Sequence, residues 1–194
     1  MPQANRFKPL SLMSLNSAPH LPHVAKNAEP HHPALSLLTD LHQSACVVAN
    51  QHDDLNRTLH LMKRAGVRMV FVSGAEGELV GMVTAEDIQG ERPVVRATGQ
   101  HVPISDLELA HVMVPVGSWD VVDMAQVRTA RLGDIAETLH EHNLRYLLVT
   151  QTKNGQTFLR GLFSARRLEM AMRQPIEADL HSRTFAELES VLAH

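Results

Sequence analysis

The chain is nearly without cysteine. Cys46 is the only one among 194 residues, so no disulfide can form within the chain, and a reducing, cytoplasmic location is expected. Cys46 sits in an apolar run with no activating neighbour and reads as a small core residue. Aromatic residues are also scarce, at 4%, so the core must be built from Leu, Val, Ile, Met and Ala. Excess positive charge is missing as well. The net charge is −3 and the isoelectric point is near 6.5, which argues against sequence-independent nucleic-acid binding.

Long apolar runs are absent, so no membrane span is expected. Pro9, Ser11, Ser14, Asn16 and Ser17 interrupt anything like a signal-peptide apolar region. Catalytic sets are lacking too, with no Ser–His–Asp order, glycine-rich phosphate loop or zinc string, so an enzyme is not expected. His140-Glu141-His142 does not replace them, because alternate residues on a helix point apart and cannot readily share a metal. Asp120 and Asp123 have no matching base or metal set.

What remains is an ordinary globular composition, 44% hydrophobic, enough for one domain or for two small repeats sharing a core. Residues 1–33 are rich in Pro, His, Ser and Asn and read as a disordered tail. His20, His23, His31 and His32 lie there without an accompanying cysteine or carboxylate cluster, so they are not read as a metal tract. Leu35, Leu37, Leu38 and Leu41 suggest a short amphipathic helix, and residues 45–49 a short buried strand. Asp53 or Asp54 caps a helix carrying Leu55, Leu59, Met62 and Ala65, and Gly66 ends it. Strands follow at residues 67–72 and 79–83, joined by a turn at residues 74–77 as an antiparallel hairpin. Thr84 then opens a short helix.

The pattern returns. Gly66-Val67-Arg68-Met69-Val70-Phe71-Val72 is echoed by Asn143-Leu144-Arg145-Tyr146-Leu147-Leu148-Val149, 77 residues on. Gly81-Met82-Val83-Thr84-Ala85 is echoed by Gly161-Leu162-Phe163-Ser164-Ala165, 80 residues on. Gly66 and Asn143, the two residue types most tolerant of positive φ, share the helix-ending slot. Leu55, Thr58 and Met62 correspond to Leu132, Ile135 and Leu139. The difference of three residues is assigned to a longer turn around residues 152–156. Two copies of one strand–helix–strand–strand–helix unit are therefore expected.

The first copy, through Leu79-Val80-Gly81-Met82-Val83-Thr84-Ala85-Glu86-Asp87-Ile88, resembles a CBS motif. The second, ending Gly161-Leu162-Phe163-Ser164-Ala165-Arg166-Arg167-Leu168, is similar but degraded. The resemblance spans about residues 34–173. It implies an α/β fold of two βαββα CBS motifs packed as a pseudo-twofold pair, a Bateman module. The implied divisions are a first motif at 34–92, a linker with a short helix at 93–114, a second motif at 115–173 and a C-terminal helix at 174–194. Residues 90–103 are expected to be a linker, and residues 104–114 a helix ended by Pro115. Such pairs bind AMP, ADP, ATP or S-adenosylmethionine in clefts between the motifs, commonly dimerise, and report occupancy to an effector protein. A ligand-free dimerisation or scaffold module is the alternative.

Thr84-x-x-Asp87 stands at a strand-to-helix junction. The structural reading is a helix cap, with the hydroxyl accepting an orphan amide and the acid favouring the dipole. The functional reading places the Asp87 carboxylate on a ribose diol. By resemblance Thr84 lies near phosphates, Met82 flanks the sugar or base, and Arg68 and Met69 line the ligand. The opposite wall comes from Met124 and Arg145. Arg68 and Arg145 hold equivalent repeat positions, so a pseudo-twofold axis brings both towards a polyphosphate, unless each is simply a solvated strand-end arginine.

The second cleft has Arg167 where the first has Asp87. Arg166 and Arg167 oppose the dipole of their helix, and solvent beside Glu169 is the simpler reading for them. The weaker second site comprises Ser164, Leu162, Arg167 and Tyr146, leaving one competent site per chain. Replacing Asp87 with Ala is then expected to remove nucleotide binding and leave the ligand-free melting temperature nearly unchanged. Trp119 either stacks on adenine or anchors the connector, and the anchor is the simpler reading.

Overall fold

Glycines at matching places in the two repeats let the chain exchange strands between them. The computed structural model describes residues 10–12, 14 and 27–176. Its strands are β1 (Thr39–Asp40), β2 (Val48–Asn50), β3 (Met69–Ser73), β4 (Leu79–Thr84), β5 (Val114–Pro115), β6 (Val121–Asp123), β7 (Tyr146–Lys153) and β8 (Gln156–Ser164). The helices are α1 (Leu55–Ala65), α2 (Ala85–Gln89), α3 (Arg92–Gln100), α4 (Leu109–Val112), α5 (Met124–Val127), α6 (Leu132–Glu141) and α7 (Ala165–Met172).

One sheet runs β2-β3-β4-β5 and the other β6-β7-β8-β1. In each, the first pair is parallel and the remaining two are antiparallel. The edge strand of each sheet comes from the lead-in to the other repeat. β5 pairs Pro115 with Gly81 and Val114 with Met82, and β1 pairs Asp40 with Gly161 and Thr39 with Leu162. The same exchange recurs next door, in isolated bridges from Glu108 to Asp54 and from Pro33 to Arg131. Residues 33–41 therefore lie against the second sheet, and residues 108–115 against the first.

Local chemistry accounts for the repeated elements. Asp54 caps α1 by accepting the Arg57 amide at 2.8 Å, and Gly66 ends it at φ 66°. Asn143 takes φ 51° in the matching slot, as its residue type led one to expect. The six paired helix positions Leu55, Thr58, Met62, Leu132, Ile135 and Leu139 are all buried. Each hairpin shifts register at the same repeat position, after Val72 and after Val149.

Each repeat has its own aliphatic core. Val70, Val72, Val83 and Met62 centre the first, while Leu139, Leu147, Phe163 and Leu168 centre the second. A third cluster joins the sheets, with Phe71 from one and Leu148 and Leu162 from the other, flanked by Met69, Met82, Trp119 and Tyr146. Among the described residues no helix is long and apolar enough to cross a membrane.

Several expectations are corrected. The segment read only as a linker contains α3, with Pro93 in its first turn, where a missing amide costs nothing, and Pro93 and Ala97 buried. Residues 104–114 are a 3-10 turn, the short α4 and the start of β5, because pairing with β4 needs extended backbone. Residues 34–37 form a 3-10 turn rather than an amphipathic helix. Cys46 is exposed, since the adjoining strand is a three-residue edge in which only Ala49 is buried. The extra residues of the second hairpin lengthen its strands, and the turn itself is the two-residue Asn154-Gly155, both at positive φ. The expected helix at residues 182–192 and most of the N-terminal tail lie outside the described residues.

The strand exchange explains the paired glycines. A Cβ on Gly81 would stand 2.8 Å from the Val114 carbonyl oxygen, and one on Gly161 would stand 2.7 Å from the Thr39 carbonyl oxygen. Gly81→Ala and Gly161→Ala should each destabilise the fold by about 1–3 kcal/mol, as overpacking does. Urea denaturation checks this; unchanged midpoints in both variants contradict the close strand approach.

Candidate functional site

The β4–α2 junction is built as a reciprocal cap. The Thr84 hydroxyl accepts the Asp87 amide at 3.1 Å and donates to Asp87 Oδ2 at 2.8 Å. The Thr84 amide also donates to Oδ2, at 2.8 Å. The other oxygen of Asp87 pairs with Arg92 Nη1 at 3.1 Å, leaving the side chain 17% exposed. Arg92 in turn donates to the Val112 carbonyl at 2.9 Å. Asp87 thus presents no idle carboxylate oxygen, and Thr84 is buried.

The charge that joins the repeats sits one residue earlier. Glu86 Oε1 accepts from Arg68 Nη2 at 2.8 Å, and Glu86 Oε2 lies 3.5 Å from Arg145 Nη1. Arg68 and Arg145 do converge, as their repeat positions implied, and the group between them is the Glu86 carboxylate. Burial works against the ionised form of Glu86. The hydrogen bond from its backbone, the bond and charge of Arg68 and the charge of Arg145 outweigh it and hold the carboxyl below its ordinary 4.5. Burial, then the charge of Glu86, raise the neighbouring Tyr146 phenol above its usual range, opposed by Arg68, Arg145 and Arg166. Glu86 thus lies between the guanidinium groups of Arg68 and Arg145, and the charge of Arg166 reaches the adjoining Tyr146.

Sequence reasoning passed over Glu86, although a signal existed. Its repeat partner is Arg166, so the charge inverts here while the arginine at positions 68 and 145 is kept.

The remaining candidates divide. Met69, Met82, Leu162 and Tyr146 belong to the cluster between the sheets. Met124 is buried in the core of the second repeat. Ser164 precedes α7 without a side-chain capping bond, and Arg167 stands where the first repeat has its reciprocating Asp87. Arg166 and Arg167 are both exposed, as expected, and Arg167 also donates to the Thr39 hydroxyl at 2.8 Å, while Glu169 accepts the Ile176 amide. Ser164, Arg166 and Arg167 line an open depression of about 380 Å³ with Leu37, Met170 and Ala171. Trp119 anchors the connector, its indole N–H donating to the Val114 carbonyl at 3.1 Å and its ring packing on Phe71.

Residues 38–92 match the family model described as the CBS domain. The chain carries a CBS domain. The second repeat has the same strand order and the same exchange. The fold is similar to that of an uncharacterised conserved protein from Pyrococcus horikoshii, with a TM-score of 0.52 and 19% identity over 77% of this chain and 98% of that one. It is also similar to CBSX2 from Arabidopsis thaliana in complex with AMP, with a TM-score of 0.48 and 20% identity over 72% of this chain and 95% of that one. A CBS-domain protein from Agrobacterium tumefaciens gives 0.48 and 16% over 68% and 88%. At these identities the likeness concerns the fold alone. No curated protein sequence matches this chain.

Two outcomes follow for the CBS junction. Asp87→Ala should destabilise the ligand-free protein by about 1–2 kcal/mol, because the cap is lost and Arg92 loses its partner. This reverses the expectation of an unchanged melting temperature, and a melting curve without ligand decides it. Glu86, with its carboxyl pKa lowered in the fold, stabilises above the unfolded value, and that contribution is lost as pH falls through the lowered pKa. Its partial exposure keeps the effect within roughly 1 kcal/mol. Denaturation of wild type and Glu86→Gln between neutral and acidic pH should show a stability gap that closes in acid; a gap independent of pH contradicts the pairing.

Proposed function

We propose that this CBS pair is a non-catalytic regulatory module that takes an adenine-containing nucleotide (AMP, ADP, ATP or S-adenosylmethionine) at the junction of its repeats. The observation that carries the reading is the meeting of Arg68 and Arg145, from opposite halves, on one carboxylate. The phosphates of AMP, ADP or ATP offer those guanidinium groups the same geometry with more charge, and S-adenosylmethionine offers them its carboxylate. Binding displaces Glu86 and recruits Arg166. The ribose goes to Asp87, which exchanges Arg92 for the diol. Occupancy then shifts the packing of the two repeats, and a homodimer of the module passes that shift to a separate effector protein.

The saturated Asp87 carboxylate favours a second reading, a ligand-free dimerisation or scaffold module, in which the cap and its ion pair are structural.

Thermal-shift and calorimetric titration with AMP, ADP, ATP, S-adenosylmethionine and NAD separates the two. At about one hundred times its dissociation constant, a true ligand adds roughly 2.7 kcal/mol of stability. One adenine ligand should raise the melting temperature and bind once per chain. Arg68→Ala with Arg145→Ala should abolish the effect, and Glu86→Gln should tighten binding by removing the competing anion. No shift with any of the five supports the scaffold.

A further inference from the structure

We propose that Glu29, His31 and His32 form a surface site for a divalent transition metal of the zinc class. The ligand atoms of these three side chains lie within 4.8 Å of one another. His31 Nδ1 stands 3.4 Å from Glu29 Oε2. Two donors on one tetrahedral zinc, each about 2.0–2.1 Å from the ion, sit roughly 3.3–3.4 Å apart. That pair already has the spacing of a shared ion. The two imidazoles meet edge to face with centroids 4.8 Å apart, which brings the third donor alongside.

Read along the sequence, these histidines have no cluster of carboxylates around them. The fold needs only one, and the turn supplies Glu29. The backbone holds this turn in place. The His32 amide donates to the Glu29 carbonyl at 2.9 Å, Leu132 donates to the His32 carbonyl at 2.9 Å, and Gly133 donates to the Pro30 carbonyl at 2.8 Å. Pro30 and Pro33 fix φ within and after the turn. Much of the ordering that a metal would otherwise impose is thus done by folding. Two imidazole nitrogens and one carboxylate oxygen suit zinc, nickel or copper. Magnesium and calcium want more oxygen donors.

One contact must be surrendered. The Glu29 amide donates to His32 Nδ1 at 3.1 Å. An imidazole that gives one nitrogen to a metal carries its proton on the other, so this bond is lost whichever nitrogen binds. The amide is exposed and passes to water. The turn shares no residue with the Arg68–Glu86–Arg145 junction, so the two proposals stand or fall separately.

Calorimetric titration of the full chain with zinc chloride, with magnesium chloride as the comparison, tests the site. Wild type should take up zinc at this turn and show no response to magnesium. Glu29→Gln and His31→Ala should each weaken zinc binding by at least the roughly tenfold that loss of an outer-shell partner costs. His20→Ala with His23→Ala should leave it unchanged, and circular dichroism should show all variants folded. Zinc affinity that survives both turn substitutions, or that vanishes with His20 and His23, or that magnesium matches, overturns the proposal.

Discussion

Each half of this chain finishes its sheet with a strand from the lead-in to the other half, and the rest of the molecule depends on that exchange. β1 and β5 are two residues long and could not persist alone, yet each hydrogen-bonds beside a glycine that lets the backbones close up. Because the lead-ins cross over, neither repeat can complete its sheet without the other. The apolar cluster around Phe71, Leu148 and Leu162 then fills the space between the sheets. The strand ends at Arg68 and Arg145, and the start of α2 at Glu86, are brought to one place as a result.

That placement gives the junction its electrostatic character. Glu86 is held ionised by arginines from both halves, while Arg166 contributes a third positive charge to the same field. A single carboxylate leaves such a set incompletely neutralised. Under the proposed function, an anion with more charge competes for the same two guanidinium groups and so couples ligand to the packing of the halves. Arg92 extends the link, since it joins Asp87 to the carbonyl of Val112, just before β5.

Much of this was legible in the sequence, because a duplication makes each residue a comment on its partner. Gly66 and Asn143 predicted a left-handed helix end in both copies, and Gly81 and Gly161 marked the same slot. The meeting of Arg68 and Arg145 followed from pseudo-twofold geometry. The exchange itself was not legible. Two-residue strands have no periodicity, and Val114-Pro115 looks like the end of a helix rather than a strand. α3 was hidden by Pro93, which reads as a breaker until its place in the first turn is known. Cys46 was misplaced because a short apolar run does not say which residues of an edge strand meet the core. Glu86 needed the comparison with Arg166, residue by residue, and the Thr84-x-x-Asp87 string drew attention past it. The state of Asp87 could not be foreseen, because Arg92 reaches it from α3, a helix within the segment read only as a linker.

The most direct measurement is the set of arginine side-chain NMR signals during titration with ATP. The account predicts that Arg68 and Arg145 respond together along one binding curve, although 77 residues separate them. A response from only one of them, or from neither while ATP is bound, contradicts a shared site at the junction.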